Sequence, residues 1–183
     1  MASFLRKPNP HALPVAMTTV KMGDQLVQIG CPDGARMGAI AAKVGLSGRA
    51  VTIVADQESA ARAQRGAAEA GALVDVHVAP PSKLPVEDGV FDLAVIDDTG
   101  GFFGTLRAED RVALVRETAR VLKPRGRVIV IGAVPRGGLG ALFTRAQSGP
   151  SFDPQPSLTA DGFRFVRVLG EREGLKFVEG VKT

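Results

Sequence analysis

Leu26-Val27-Gln28-Ile29-Gly30-Cys31-Pro32-Asp33-Gly34-Ala35 is the stretch on which the reading of this chain turns. A short apolar run passes into a turn punctuated by glycine, and the turn opens a helix. Strand, tight turn and helix N-terminus together make the usual cradle for an adenosine-containing cofactor.

Outward from that stretch, apolar runs of strand length alternate with helical patterns. The strand candidates are Leu26–Ile29, Val51–Ala55, Val74–Val78, Phe91–Ile96 and Val128–Ile131. They are continuous in polarity rather than alternating, as strands covered on both faces are. Met37, Ile40, Ala41 and Val44 recur at helical spacing and define one helix, and the alanine-rich stretch Ala60–Ala70 a second. Val112, Val115, Ala119 and Leu122 define a third, which Pro124 and Gly126 are expected to end. Strand-helix-strand repetition with short connections implies a doubly wound, Rossmann-like α/β fold with a mostly parallel sheet.

The rhythm breaks after the fifth strand. Residues 136–158 are rich in Gly, Pro and Ser and read as an irregular loop. Phe163–Leu169 and Leu175–Val181 then face each other across Gly170-Glu171-Arg172-Glu173-Gly174. So short a connection forces an antiparallel C-terminal hairpin, because a parallel pair needs a crossover. Residues 1–183 read as one domain, with residues 1–22 as an N-terminal cap segment.

Composition narrows the function classes. Hydrophobic residues make up 45% of the chain, and no run approaches the ~20 apolar residues of a membrane span. Residues 1–14 lack the apolar core of a signal peptide. A lone cysteine, Cys31, excludes an internal disulfide framework and suits the cytoplasm. Net charge is +4, but the cations are dispersed; the densest group, Arg116, Arg120, Lys123, Arg125 and Arg127, follows one helix into a turn. With no Trp and no Tyr there is little to stack on bases, so no nucleic-acid partner is expected. Asp97 and Asp98 together could hold a divalent ion, but no third oxygen ligand lies nearby in sequence, so no metal site is expected; nothing in the sequence speaks to oligomeric state.

Three segments resemble one family, the class I S-adenosylmethionine-dependent methyltransferases, in the broad group that contains quinone and small-molecule C-methyltransferases. They are the opening stretch, Leu84-Pro85-Val86-Glu87-Asp88-Gly89-Val90-Phe91-Asp92, and Arg116-Glu117-Thr118-Ala119-Arg120-Val121-Leu122-Lys123-Pro124-Arg125-Gly126-Arg127. Their order and spacing fit, as does the terminal hairpin, and the likeness covers about residues 20–183. It implies S-adenosylmethionine as cofactor and methyl transfer to a small or lipid-like acceptor. A nicotinamide dehydrogenase is disfavoured, since Asp33 would set a like charge beside the pyrophosphate and Pro32 would occupy the second fingerprint glycine.

The resemblance implies that Gly30, Cys31, Pro32 and Gly34 border the methionine half of the cofactor, and that Asp56, with Gln57 beside it, meets the ribose. Read from the residues alone, Gly30 and Gly34 serve a tight strand-to-helix turn, Cys31 packs as a small apolar group, and Asp56 is a helix N-cap. Asp97 and Asp98 lie at the carboxyl end of the fourth strand, where ligands of open α/β sheets gather, and are the candidate catalytic pair. His11 reads as a surface histidine and His77 as structural. Gly137-Gly138-Leu139-Gly140, with Phe143 and Phe152, is a candidate acceptor lid.

Three residues depart from the family's pattern. Gln28 stands where an acid is usual, Pro32 replaces the middle glycine, and Pro80 stands about where an Asp commonly meets the adenine amino group, with Pro81 beside it. Hydrogen bonds to charged groups are worth about 1.5–3 kcal/mol each. Losing two would weaken binding roughly a hundredfold to ten-thousandfold. The alternative expectation is therefore a non-catalytic member that keeps the fold as a binding or scaffold subunit.

Overall fold

The computed structural model describes residues 10–134 and 153–183. The elements run α1 (Ala12–Thr18), β1 (Gln25–Ile29), α2 (Gly34–Ala41), β2 (Arg49–Val54), α3 (Gln57–Ala70), β3 (Asp75–Val78), β4 (Phe91–Asp98), α4 (Phe102–Thr105), α5 (Ala108–Val121), β5 (Leu122–Ala133), α6 (Gln155–Ala160), β6 (Phe163–Arg172) and β7 (Leu175–Lys182). A 3-10 turn over Ala42–Val44 extends α2.

The strands form one seven-stranded sheet in the order β3-β2-β1-β4-β5-β7-β6. β1 to β5 are mutually parallel, and β7 runs antiparallel to both neighbours. The expected mostly parallel, doubly wound sheet with a C-terminal antiparallel hairpin is the observed one. The last strand inserts between β5 and β6, which leaves β6 as the edge. Phe177 and Val178 of β7 are accordingly buried, while β6 exposes Phe165 and Val168.

Side chains alternate across each strand and divide the core in two. Val27, Ile29, Val51, Ile53, Ala94 and Ile96 pack with Leu114, Val115 and Val121 of α5 and Leu158 of α6. Leu26, Ala50, Val54, Leu93 and Val95 pack on the opposite face with Met37 and Ile40 of α2 and Ala60, Ala63 and Ala67 of α3. Helix ends follow local chemistry. Asp33 caps α2 by accepting from Arg36 N, and Asp56 caps α3 by accepting from Ser59 N. Gly71 ends α3 in the left-handed conformation that glycine takes without strain.

Two expectations about elements need correction. Leu122 is not the last turn of the third helix: α5 ends at Val121, and Leu122 already pairs with Phe91 as the first residue of β5. The next β4 pairing is Leu93 with Arg127, so residues 123–126 bulge from the ladder instead of ending a helix. Pro124 has no N–H to give the ladder, and Arg125 sits at φ +65. Secondly, the loop over 136–158 does not stay irregular to its end. Within the described residues, Gln155–Ala160 is helical, because Leu158 is fully buried against the α5 side of the core. The N-terminal cap segment carries a helix, α1, whose Leu13, Val15 and Met17 lie against the α2 side. The proposed lid, Gly137–Gly140 with Phe143 and Phe152, lies outside the described residues.

Candidate active site

The strand order reverses between β1 and β4, and at their carboxyl ends a cleft of about 230 Å³ opens. Such a switch point is where open α/β sheets bind ligands, because the loops on its two sides depart in opposite directions. The turn Gly30-Cys31-Pro32 borders the cleft. Ile53, Ala79, Pro81 and Phe102 supply apolar walls, and Asp56, Ser59, Arg62 and Asp97 the polar groups.

The turn admits only glycine at position 30. Gly30 has φ +81, and a Cβ there would lie 3.0 Å from the Asp97 carbonyl oxygen and 3.2 Å from the Phe102 ring. Its N–H donates to the carbonyl of Ile53 at 2.9 Å. Gln28 is buried beneath the turn and donates its Nε2–H to the Gly30 carbonyl at 3.1 Å, a bond no carboxylate could donate. Its Oε1 finds no partner among the described residues. Pro32 is exposed and forms a wall of the cleft without closing it. Cys31 borders the cleft, with its thiol pushed up to about 11 by burial and then by the charge of Asp97. The Cys31 carbonyl accepts from Arg62 Nη1 at 3.0 Å.

Gly34 has a different task from the one implied. It is not among the residues lining the cleft; it lies in the contact between α2 and α3. A Cβ on Gly34 would come within 2.5 Å of the Arg62 carbonyl oxygen, one on Gly38 within 2.2 Å of that of Gly66, and one on Gly66 within 2.0 Å of that of Gly34. Gly34, Gly38 and Gly66 are bare because two helix backbones touch.

Asp56 is both a cap and a rim residue. Its Oδ1 accepts from Ser59 N at 2.7 Å and its Oδ2 from Ser59 Oγ at 3.2 Å, which hold the carboxyl below its ordinary value and keep it ionised at neutral pH. Each oxygen retains acceptor capacity toward the cleft. Gln57, its neighbour, is exposed and lies outside the lining. Pro80 is exposed and also outside it, while Pro81 is part of it.

Asp97 and Asp98 do not act as a pair. Strand alternation sends them to opposite faces of the sheet. Asp97 is fully buried and faces α2, where it accepts from Arg36 Nε at 2.8 Å and Nη2 at 3.1 Å, and from Thr99 Oγ1 at 2.8 Å. Asp98 faces the α5 side and accepts from Phe103 N at 2.8 Å, fastening the start of α4. Burial raises its pKa to about 6. It does not line the cleft. Among the described residues, no group of three or more His, Cys, Asp or Glu is placed to hold a metal ion.

Ser59, Arg62 and Phe102 escaped sequence reasoning. The spacing of Asp56, Ser59 and Arg62 at three-residue steps carried a signal, since it puts them on one helix face toward the turn. Phe102 and the buried partner Arg36 had none, because their roles depend on contacts distant in sequence. The residues present fit an adenosyl group: flat apolar walls at Ile53, Ala79 and Pro81, and beside them one ionised carboxylate for vicinal hydroxyls.

A family model described as a methyltransferase domain matches residues 27–130. Among solved structures, a SAM-dependent methyltransferase from Aquifex aeolicus superposes with a TM-score of 0.74 at 18% identity, covering 95% of this chain and 90% of that one. The YcgJ protein from Bacillus subtilis gives 0.67 at 16% identity, covering 94% of this chain and 97% of that one. A curated relative, an uncharacterized 37.1 kDa protein in transposon TN4556 of Streptomyces fradiae, is 32% identical over 108 residues, 59% of this chain. The chain spans only 30% of that relative's length. The chain belongs to the methyltransferase domain family and shares the fold of the S-adenosylmethionine-dependent methyltransferase from Aquifex aeolicus.

Proposed function

We propose that this protein moves a methyl group from S-adenosylmethionine, held in the β1/β4 cleft, to a small or lipid-like acceptor in the cytoplasm. The observation that carries the reading is the position of Asp56. It is an ionised carboxylate at the end of β2, on the rim of the cleft and beside the apolar walls at Ile53, Ala79 and Pro81. Asp56 accepts the ribose hydroxyls, and the Gly30–Pro32 turn with Phe102 borders the methionine side.

When bound, the cofactor supplies a methyl group activated by a sulfonium. Transfer from it is an in-line displacement, so the chain's contribution is to hold two reactants in line and keep water out. The buried Arg36–Asp97 pair keeps the cleft wall in place. The second reading, a non-catalytic member of the fold, draws on Gln28 and Pro32, which remove an acid and an N–H from the turn.

Calorimetric titration with S-adenosylmethionine and S-adenosylhomocysteine separates the two readings. Micromolar binding is expected, weakened about tenfold by Asp56→Asn, the equivalent of one lost hydrogen bond to a charged group. Asn keeps the helix cap, so folding should be unaffected. The absence of both heat and thermal stabilisation at millimolar cofactor would overturn the enzyme reading.

A further inference from the structure

The amino ends of the parallel strands carry a second concavity, at the opposite end of the sheet from the β1/β4 cleft. It has a volume of about 210 Å³ and gathers the entries to three strands: Lys21 and Asp24 before β1, Asp92 at the start of β4, and Lys123, Arg125 and Arg127 in the opening of β5. Four cations and two carboxylates line it. Both carboxylates are already engaged. Asp92 accepts from Lys123 Nζ at 2.7 Å and from Gln25 N at 2.9 Å, and Asp24 accepts from Lys21 N at 2.8 Å. Arg127 is fixed by Thr19 Oγ1 at 2.6 Å and Glu179 at 3.2 Å.

Lys21 and Arg125 are different. Neither side chain has a partner among the described residues, and both are exposed beside the cup. Arg125 also holds φ +65, a left-handed conformation that favours glycine and strains a long side chain. The chain thus keeps an arginine where a glycine would be easier, and that arginine borders a cup with unneutralised positive charge.

We propose that this cup binds a small phosphate-bearing anion, with Arg125 and Lys21 as its direct ligands. Lys123 and Arg127 stand in the floor, paired with Asp92 and Glu179. A planar guanidinium and a mobile ammonium together suit the several oxygens of a phosphate, and the two cations outweigh the charge of Asp24, which leaves the cup net positive. The phosphate can come from a soluble phosphomonoester or from a lipid headgroup. Met22, 80% exposed between Lys21 and Asp24, would meet a bilayer only in the second case.

The test titrates the intact protein with sodium phosphate and glycerol phosphate, against sodium chloride at matched ionic strength, by calorimetry and thermal shift. Phosphate should stabilise the protein beyond chloride. Arg125→Gly, which removes the cation and relieves the backbone, should weaken phosphate binding at least tenfold, and Lys21→Ala similarly. Cofactor binding at the far end of the strands should stay unchanged in both variants. Co-sedimentation with phosphatidic acid vesicles, lost in Arg125→Gly and reduced in Met22→Ser, would assign a headgroup. Phosphate binding without retention on vesicles would assign a soluble ligand. Equal responses to phosphate and chloride, or undiminished phosphate binding by Arg125→Gly, would overturn the proposal.

Discussion

The guanidinium of Arg36, in the first turn of α2, grips the carboxylate of Asp97, at the end of β4, through two hydrogen bonds of 2.8 and 3.1 Å. Both side chains are buried, Asp97 completely. The pair ties the helix that follows the Gly30 turn to the strand across the switch point, so the mouth of the cleft depends on it.

Breaking that pair from one side strands a buried charge. Asp97→Ala or Arg36→Met should each cost about 3–5 kcal/mol in denaturant unfolding. The double variant should lose clearly less than the sum, because neither charge remains uncompensated. Additive losses would show that the two groups do not depend on each other.

Asp98 makes stability depend on pH. Its folded pKa, about 6, lies above the ordinary 3.8, with burial the largest cause. A raised acid favours the folded state while protonated. Its contribution is therefore full below pH 3.8 and lost as pH rises through about 6. Asp98→Asn keeps an acceptor for Phe103 N without the charge. It should be more stable than the parent at pH 8, by up to about 3 kcal/mol, and equal to it near pH 4. Urea melts at the two pH values check this; a difference independent of pH would refute it.

Gly66→Ala sets helix propensity against packing. Alanine favours a helix by about 1 kcal/mol over glycine. Yet the new Cβ would lie 2.0 Å from the Gly34 carbonyl oxygen, and that backbone cannot step aside without moving α2. Overpacking typically costs about 1–3 kcal/mol, and a clash with backbone falls at the upper end, so the net effect should be a loss of about 2 kcal/mol. Calorimetric melting decides: a higher Tm for Gly66→Ala would mean that the two helices do not touch there.

Cys31 should be inert in the native state. Its thiol is buried and its pKa is pushed up to about 11, so almost no thiolate exists at pH 8. Labelling with a chromogenic disulfide should be slow in buffer and complete in denaturant. Rapid labelling of folded protein would contradict the burial.

Much of the architecture was legible because it rests on local pattern. Continuous apolar runs marked β1, β2, β4 and the core of β5, and the short connection before Leu175 forced an antiparallel pair. Boundaries failed where a distant contact outweighed the local signal. Leu122 continues the helical spacing of α5 but is taken by Phe91 across the sheet, and Leu158 draws a Gly/Pro-rich segment into a helix by offering it a buried anchor. The site divided in the same way. Gly30 and Asp56 were readable because a strand-to-helix turn and a helix cap are local devices.

The sequence by itself determined the alternation of strands and helices, the turn at Gly30 and the capping acid at the end of β2, since each follows from the chemistry of neighbours in the chain. Only the tertiary structure decided that Gly34 serves a helix contact, that Asp97 is spent on Arg36, that Asp98 faces away from the cleft, and that Lys21 and Arg125 share one cup. Those assignments depend on which backbones are brought within a few ångströms of each other, and residues 61 or 104 positions apart leave no local trace of meeting.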